Sequence, residues 1–237
     1  MAAAFATAIV VAAGRSTRMG SPSTPKPLLP LGGEAILRYS LRALAAAQSV
    51  ADVIVVARRE HFAPIEAMLV ECCGRQNTTV LEGGEERFHS VQRGCEAVPA
   101  EREVVLIHDA ARPFVRSEQI DAVALAAREH GAGLLAMPVT DSLHRSMDGR
   151  KVFEPVDRSS LWAAQTPQAF RIGPFLQALR EAQRLGTVPT DDVALWERFV
   201  GAVQLVPGSP ENFKITHPSD LWVAESLLQQ RTSHESP

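Results

Sequence analysis

Short apolar runs, several of them rich in β-branched residues, recur along the chain at Ala8–Ala12, Val53–Ala57, Val104–Ile107, Leu134–Val139 and Ala202–Val206. Near-continuous hydrophobicity over so few residues predicts strands buried on both faces, as in a parallel sheet covered by helices. Helical spacing fills the gaps. Ile36, Leu37, Leu41 and Leu44 share one stripe, as do Ile120, Val123, Ala124 and Ala127. Phe175, Leu176 and Leu179 mark a third helix, and Leu221, Val223, Ala224, Leu227 and Leu228 a last one. Strand–helix alternation over the first 140 residues predicts an α/β, Rossmann-like, mostly parallel sheet flanked by helices.

The rhythm changes after Val139. Residues 140–167 contain Gly149, Pro155 and the alternating KVFEPVDR, with no good helix. This predicts a β arm reaching out of the sheet, of the kind that exchanges between protomers. Residues 1–230 read as one domain, and 231–237 as a flexible tail.

Composition and charge narrow the possibilities. The 237 residues are 46% hydrophobic and 22% charged, with a net charge of -3, which excludes a disordered chain. The balance also argues against nucleic acid or an anionic membrane as partner. Cys72, Cys73 and Cys95 form no disulfide spacing, so a reducing, cytoplasmic setting is expected. The apolar opening, residues 1–14, lacks a preceding basic segment and is too short to cross a bilayer. The scattered histidines offer no zinc spacing.

Candidate chemistry begins where the first strand ends, in AAGRSTRMG at residues 12–20. The loop lacks the Gly-Lys-Ser/Thr of a P-loop, the glycines at the third and sixth positions of a dinucleotide fingerprint, where Ser16 and Met19 stand, and the flanking glycines of a nucleophile elbow. From Gly14 to Lys26 its charges are Arg15, Arg18 and Lys26, with no acid among them. One cation about 4 Å from a phosphate is worth on the order of 4 kcal/mol near a surface, so the loop suits a triphosphate. A solvated loop with charges worth about 0–1 kcal/mol each is the plainer alternative.

Further motifs follow in one order: PK at 25–26, LPLGG at 29–33, GGEER–x2–SV at 83–91, HDAARP at 108–113, LW–x2–QTPQ at 161–168, TDD at 190–192 and KIT at 214–216. With the loop, this ordered set resembles the 2-C-methyl-D-erythritol 4-phosphate cytidylyltransferase family of the non-mevalonate isoprenoid pathway, over nearly the whole chain. The resemblance implies a nucleotidyltransferase fold and transfer of CMP from CTP to the polyol phosphate, with pyrophosphate leaving. It implies Mg²⁺ as cofactor and a homodimer joined through the arm. It assigns Arg18 and Lys26 catalytic roles, stabilising the transition state on the triphosphate side, supported by the backbone N–H groups of Ala12, Ala13 and Gly14. Gly83, Gly84, Glu85 and Ser90 become contacts of cytosine and ribose, although without the flanking motifs a plain Gly-Gly turn is the first reading there. Asp109 becomes a contact of nucleotide, acceptor or metal, with a helix N-cap as the alternative. Arg112, Ser142, Arg158 and Lys214 fall to the acceptor, Arg158 and Lys214 with catalytic roles. Thr166 and Gln168 are expected to pack the arm, and His108 to be buried, neutral and without a catalytic role.

The chain departs from the family pattern at Ser16, in a longer segment before Lys26, at Pro27, at Ser142 and at His144, where lysine is usual. These changes keep a second acceptor, ribitol 5-phosphate, in view. Arg58 and Arg59 close the second apolar strand, where an NADP-dependent dehydrogenase would bind a 2′-phosphate; the missing glycine fingerprint counts against that reading.

Overall fold

The computed structural model of the chain describes residues 4–14, 24–187 and 189–234. Its main sheet has seven strands: β1 (Ala6–Val11), β4 (Val50–Ala57), β5 (Asn77–Glu82), β6 (Val104–Asp109), β7 (Ala132–Pro138), β10 (Trp162–Arg171) and β11 (Gln204–Pro207). Their spatial order is β11-β7-β10-β6-β1-β4-β5. All run parallel except β10, which is antiparallel to both β6 and β7. Seven α-helices are described: α1 (Ile36–Ala46), α2 (Phe62–Cys72), α3 (Arg87–Glu96), α4 (Ser117–His130), α5 (Ile172–Arg184), α6 (Asp192–Phe199) and α7 (Pro218–His234).

The period of two along each strand sorts its side chains between two cores. Ala6, Ala8 and Val10 of β1 face one side with Leu37, Leu41, Ile65, Leu69, Val123 and Ala127 of α1, α2 and α4. Ile9 faces the other with Phe88 and Val91 of α3, Phe175 and Leu179 of α5, and Trp196 of α6. There Phe170 stacks on Phe175 with centroids 4.3 Å apart, a contact worth about 0.5–1.5 kcal/mol beyond its burial. Gly131 ends α4 at φ 99, a conformation that side-chain-bearing residues rarely adopt. A third cluster, around Leu31, Ile36, Phe114, Ile215 and Ala224, fastens α7 over the short hairpin of β2 (Pro30–Leu31) and β3 (Glu34–Ala35).

Two elements differ from the sequence reading. β8 (Leu143–Arg145) pairs with β9 (Glu154–Val156) in a sheet of its own, and residues 140–153 are exposed throughout. The chain is back in the main sheet by Trp162, so the hairpin is shorter than the expected 140–167, and Thr166 and Gln168 are buried in β10 rather than in an arm. At the other end, α7 continues to His234, four residues into the expected tail. Arg231 anchors that end, 2.6 Å from Glu211 and 5.0 Å over the Phe114 ring. No helix among the described residues is long and apolar enough to cross a membrane.

Candidate active site

In an open α/β sheet, ligands bind beyond the carboxyl ends of the strands, where the order of connections reverses. Here β1 leads to β4 and β5 on one side and has β6 on the other. A cavity of about 490 Å³ opens at those strand ends. Its walls include Ala12, Ala13, Gly14, Lys26, Gly83, Gly84, Glu85, Ser90, Asp109 and Lys214, so ten of the sequence candidates meet in one place.

Each wall is tethered. The Ala12 N–H donates to Val56 O at 2.8 Å, and the Gly83 N–H to Ala57 O at 2.8 Å. Gly83 sits so close to the first loop that a Cβ there would lie 2.4 Å from Cβ of Ala13, which explains the glycine. Ser90, buried in α3, accepts from the Gly84 N–H at 3.1 Å and donates to Glu86 O at 3.3 Å, so its hydroxyl braces the glycine turn. Arg93 donates to the carbonyls of Glu82 and Gly83 from behind. Lys26 opens a short 3-10 turn, Lys26–Leu28, and is buried. Arg58, Arg59 and Arg87 add further cations to the wall.

Asp109 ends β6 and is the one buried carboxylate among the lining residues. It does not cap a helix, since α4 begins only at Ser117 with Arg116 before it. Lys214 Nζ donates to one of its oxygens at 2.7 Å and Arg87 Nε to the other at 3.4 Å. Burial opposes its charge, but Arg87 and Lys214, with Arg112 behind them, hold its carboxyl well below the usual carboxylate range. The loop carrying Lys214 is fixed to the same turn, because the Ile215 N–H donates to Ala111 O at 2.9 Å.

A chain of hydrogen bonds supports Asp109 from below. Arg112 O can only accept, so His108 carries its proton on Nε2, 3.2 Å away. His108 Nδ1 then accepts from the Thr166 hydroxyl at 3.1 Å, and Thr166 Oγ1 accepts the Asp109 N–H at 3.0 Å. Burial pushes the His108 pKa down to about 4, so the ring is neutral, as the sequence reading expected. Arg112 turns away from the cavity wall and donates to Asn212 O at 2.7 Å, while burial lowers its pKa.

Arg158 and Ser142 do not line this cavity. Arg158 donates to Thr140 O beside the hairpin, and Ser142 is exposed on it. Arg18 lies outside the described residues, as do Arg15 and Ser16. The sequence reading quoted Arg87 and Asp192 within motifs but gave them no role. The structure joins them, with Arg87 Nη2 2.7 Å from Asp192 Oδ2. Burial pushes the Asp192 carboxyl upward against the pull of Arg87. The polar run GGEER hid this pair, since an arginine opening a helix reads as a surface residue.

Comparison with known proteins gives the same picture. Residues 6–230 match the family model described as IspD: 2-C-methyl-D-erythritol 4-phosphate cytidylyltransferase. The protein of that name from Geobacillus kaustophilus is 38% identical over 224 residues, covering 94% of this chain and 97% of its own. Its namesake from Thermosynechococcus vestitus is 40% identical over 227 residues, covering 96% and 97%. Among solved structures, 4-diphosphocytidyl-2C-methyl-D-erythritol synthase from Anaerococcus prevotii superposes with a TM-score of 0.84 at 28% identity, covering 95% of this chain and 96% of its own. The Thermus thermophilus cytidylyltransferase gives 0.78 at 32% identity, covering 93% and 98%. A chain with a charged cavity at its strand ends thus matches one family from its first strand to its last helix: this chain belongs to the 2-C-methyl-D-erythritol 4-phosphate cytidylyltransferase family.

Proposed function

We propose that this cytidylyltransferase seats CTP in the strand-end cavity and transfers CMP to 2-C-methyl-D-erythritol 4-phosphate, yielding 4-diphosphocytidyl-2-C-methyl-D-erythritol and pyrophosphate. The observation that carries the reading is the cavity itself, where the buried Lys26 and the Asp109–Lys214 pair meet the glycine turn at the strand ends, while Arg58, Arg59 and Arg87 share the rest of the wall with Glu60, Glu82, Glu85 and Glu86. An acceptor phosphate oxygen attacks the α-phosphorus while the bond to the bridging oxygen of the β-phosphate breaks. The reaction needs no covalent enzyme intermediate, so catalysis comes from alignment and charge stabilisation. The Gly84 carbonyl and the backbone of Glu85 serve the edge of cytosine, with Gly83 giving the close approach, and the N–H groups of Ala13 and Gly14 serve the phosphates, with Ala12 anchoring that loop to Val56. Arg18 and Lys26 take the triphosphate. Removing one such cation costs about 3–4 kcal/mol, or about a hundredfold or more in rate.

Lys214 reaches the acceptor from the Asp109 side. Arg158 and Ser142 complete that side when the hairpin of a second copy is laid over the cavity in a homodimer. The exposed apolar residues Met147, Val152 and Phe153 on the hairpin favour this arrangement.

Among the described residues no three acidic, histidine or cysteine side chains converge as a metal cage. Both Asp109 oxygens already face Lys214 and Arg87. The residues would fit a magnesium ion that enters on the triphosphate, as part of the nucleotide substrate, with Asp109 as the buried carboxylate of the cavity available to hold it. Such an ion neutralises phosphate charge and makes the α-phosphorus a better electrophile. The free thiols of Cys72, Cys73 and Cys95 suit a reducing, cytoplasmic setting.

Pyrophosphate release from CTP and Mg²⁺ with each of two acceptors tests the reading. Turnover with methylerythritol phosphate well above that with ribitol 5-phosphate supports it; the reverse ranking moves the acceptor, and no turnover with either overturns it.

A further inference from the structure

Four side chains of alternating charge run in a line from α6 to the cavity. Asp192, the first residue of α6, is 2.7 Å from Arg87 Nη2; Arg87 Nε is 3.4 Å from Asp109 Oδ1; Asp109 Oδ2 is 2.7 Å from Lys214 Nζ. They come from four separate parts of the chain: the start of α3, the end of β6, the start of α6 and the loop before α7. We propose that Asp192 is a positioning residue for cytidylyl transfer, acting through Arg87 to set where Asp109 holds Lys214. The inference rests on the cavity being the transfer site.

Asp192 does not line the cavity and is 5% exposed. It is not needed as a helix cap, because Asp191 already accepts the Ala194 N–H at 2.8 Å. Burying a carboxylate is unfavourable unless a cation meets it, and the cation that meets this one is Arg87. A guanidinium is a planar fork. With Nη2 given to Asp192 and Nε turned toward Asp109, Arg87 cannot swing its fork onto the triphosphate. Arg87 lines the cavity with 35% of its side chain open, so without Asp192 that swing has room. The freed arginine would hold CTP at least as well while Asp109 and Lys214 lost their alignment. The signature of a positioning role is therefore a fall in kcat without a rise in KM for CTP.

The test uses the full chain with CTP, Mg²⁺ and methylerythritol phosphate. Asp192→Asn is expected to lower kcat by about tenfold to a hundredfold, the scale of an ångström of misplacement, with KM for CTP unchanged or lower. In an Arg87→Met background the same change should cost nothing further, because the two act as one unit. Arg87→Lys keeps the charge but offers a single ammonium to two carboxylates, so it should resemble Asp192→Asn. Thermal melts of each variant show which are folded, and Arg87→Lys carries the test if Asp192→Asn does not fold. Losses that multiply in the double variant, a rise in KM at unchanged kcat, or wild-type turnover by Arg87→Lys would each overturn the proposal. In these three cases the wild-type enzyme still turns over and the transfer site stands; an inert wild type removes both.

Discussion

Replacing Gly83 with alanine puts a methyl carbon 2.4 Å from Cβ of Ala13 and 3.0 Å from Oγ of Ser90. Carbon–carbon contacts settle at about 3.5–4.0 Å, so more than about an ångström of relief is required. The tighter contact, with Ala13, cannot be relieved by rotating a side chain. The Ala13 methyl moves only with its backbone, which is tied through the Ala12 N–H to Val56 and through the Ala13 carbonyl to Arg58 Nε at 3.4 Å. Gly83 is tied through its N–H to Ala57 and through its carbonyl to Arg93 at 2.8 Å. Overpacking of this kind costs about 1–3 kcal/mol of stability, or about 2–12 °C in Tm for a domain of this size. Both residues wall the cavity, so the displacement also distorts the seat of CTP. The expected loss in kcat/KM for CTP is about tenfold to a hundredfold, equal to about 1.4–2.7 kcal/mol. The assay is steady-state pyrophosphate release at varied CTP and saturating acceptor, beside a thermal melt. Gly173→Ala, in α5 with nothing within 4 Å of the new methyl, serves as the control and should leave the kinetics alone. A Gly83→Ala enzyme with wild-type kcat and KM would refute the placement of the nucleotide against this turn.

Other residues yield further tests. Thr166→Val strands the buried Asp109 N–H, so it should cost about 1–3 kcal/mol in denaturant unfolding and lower kcat, whereas Thr166→Ser should keep both near wild type. Asp52 is buried, and although burial opposes its charge, Arg102, Asn77 and Thr7 hold its carboxyl below the ordinary value. Its contribution is therefore present above about pH 4 and fades as pH falls below that, because the unfolded chain takes up the proton first. Arg102→Met should cost about 3–5 kcal/mol at pH 7 by leaving the carboxylate unpaired, and less in acid; a cost that does not shrink below pH 4 would contradict this. Phe153→Asp on the hairpin should shift sedimentation toward the monomer and lower activity together, and a monodisperse dimer with full activity would separate the hairpin from both.

Much of this was legible in the sequence because buried parallel strands are written in β-branched runs, and Val53–Ala57 and Val104–Ile107 fall inside β4 and β6. β5 left no such run: NTTVLE lies at the sheet edge and is largely exposed, so its polar residues face water. β10 escaped notice for another reason. Gln165, Thr166 and Gln168 are polar yet buried; Thr166 and Gln165 satisfy the loops around Asp109 and Asn212, and Gln168 donates back to Gln165 O. Of the site, the glycines and Asp109 could be placed from strand ends and ordered motifs. Arg87 and Asp192 could not, because their pairing spans 105 residues and no local pattern records it. Arg158 and Ser142 are exposed and do not line the cavity, which sequence spacing cannot convey.

The central claim is a location: CTP lies at the ends of β1, β5 and β6. A crystal structure with CTP and Mg²⁺ tests it most directly. The account predicts cytosine against Gly83–Glu85 and phosphates within hydrogen-bonding reach of Lys26, with Asp109 and Lys214 still paired on the side left open for the acceptor. A nucleotide bound anywhere else, with the cavity filled by water, would contradict it.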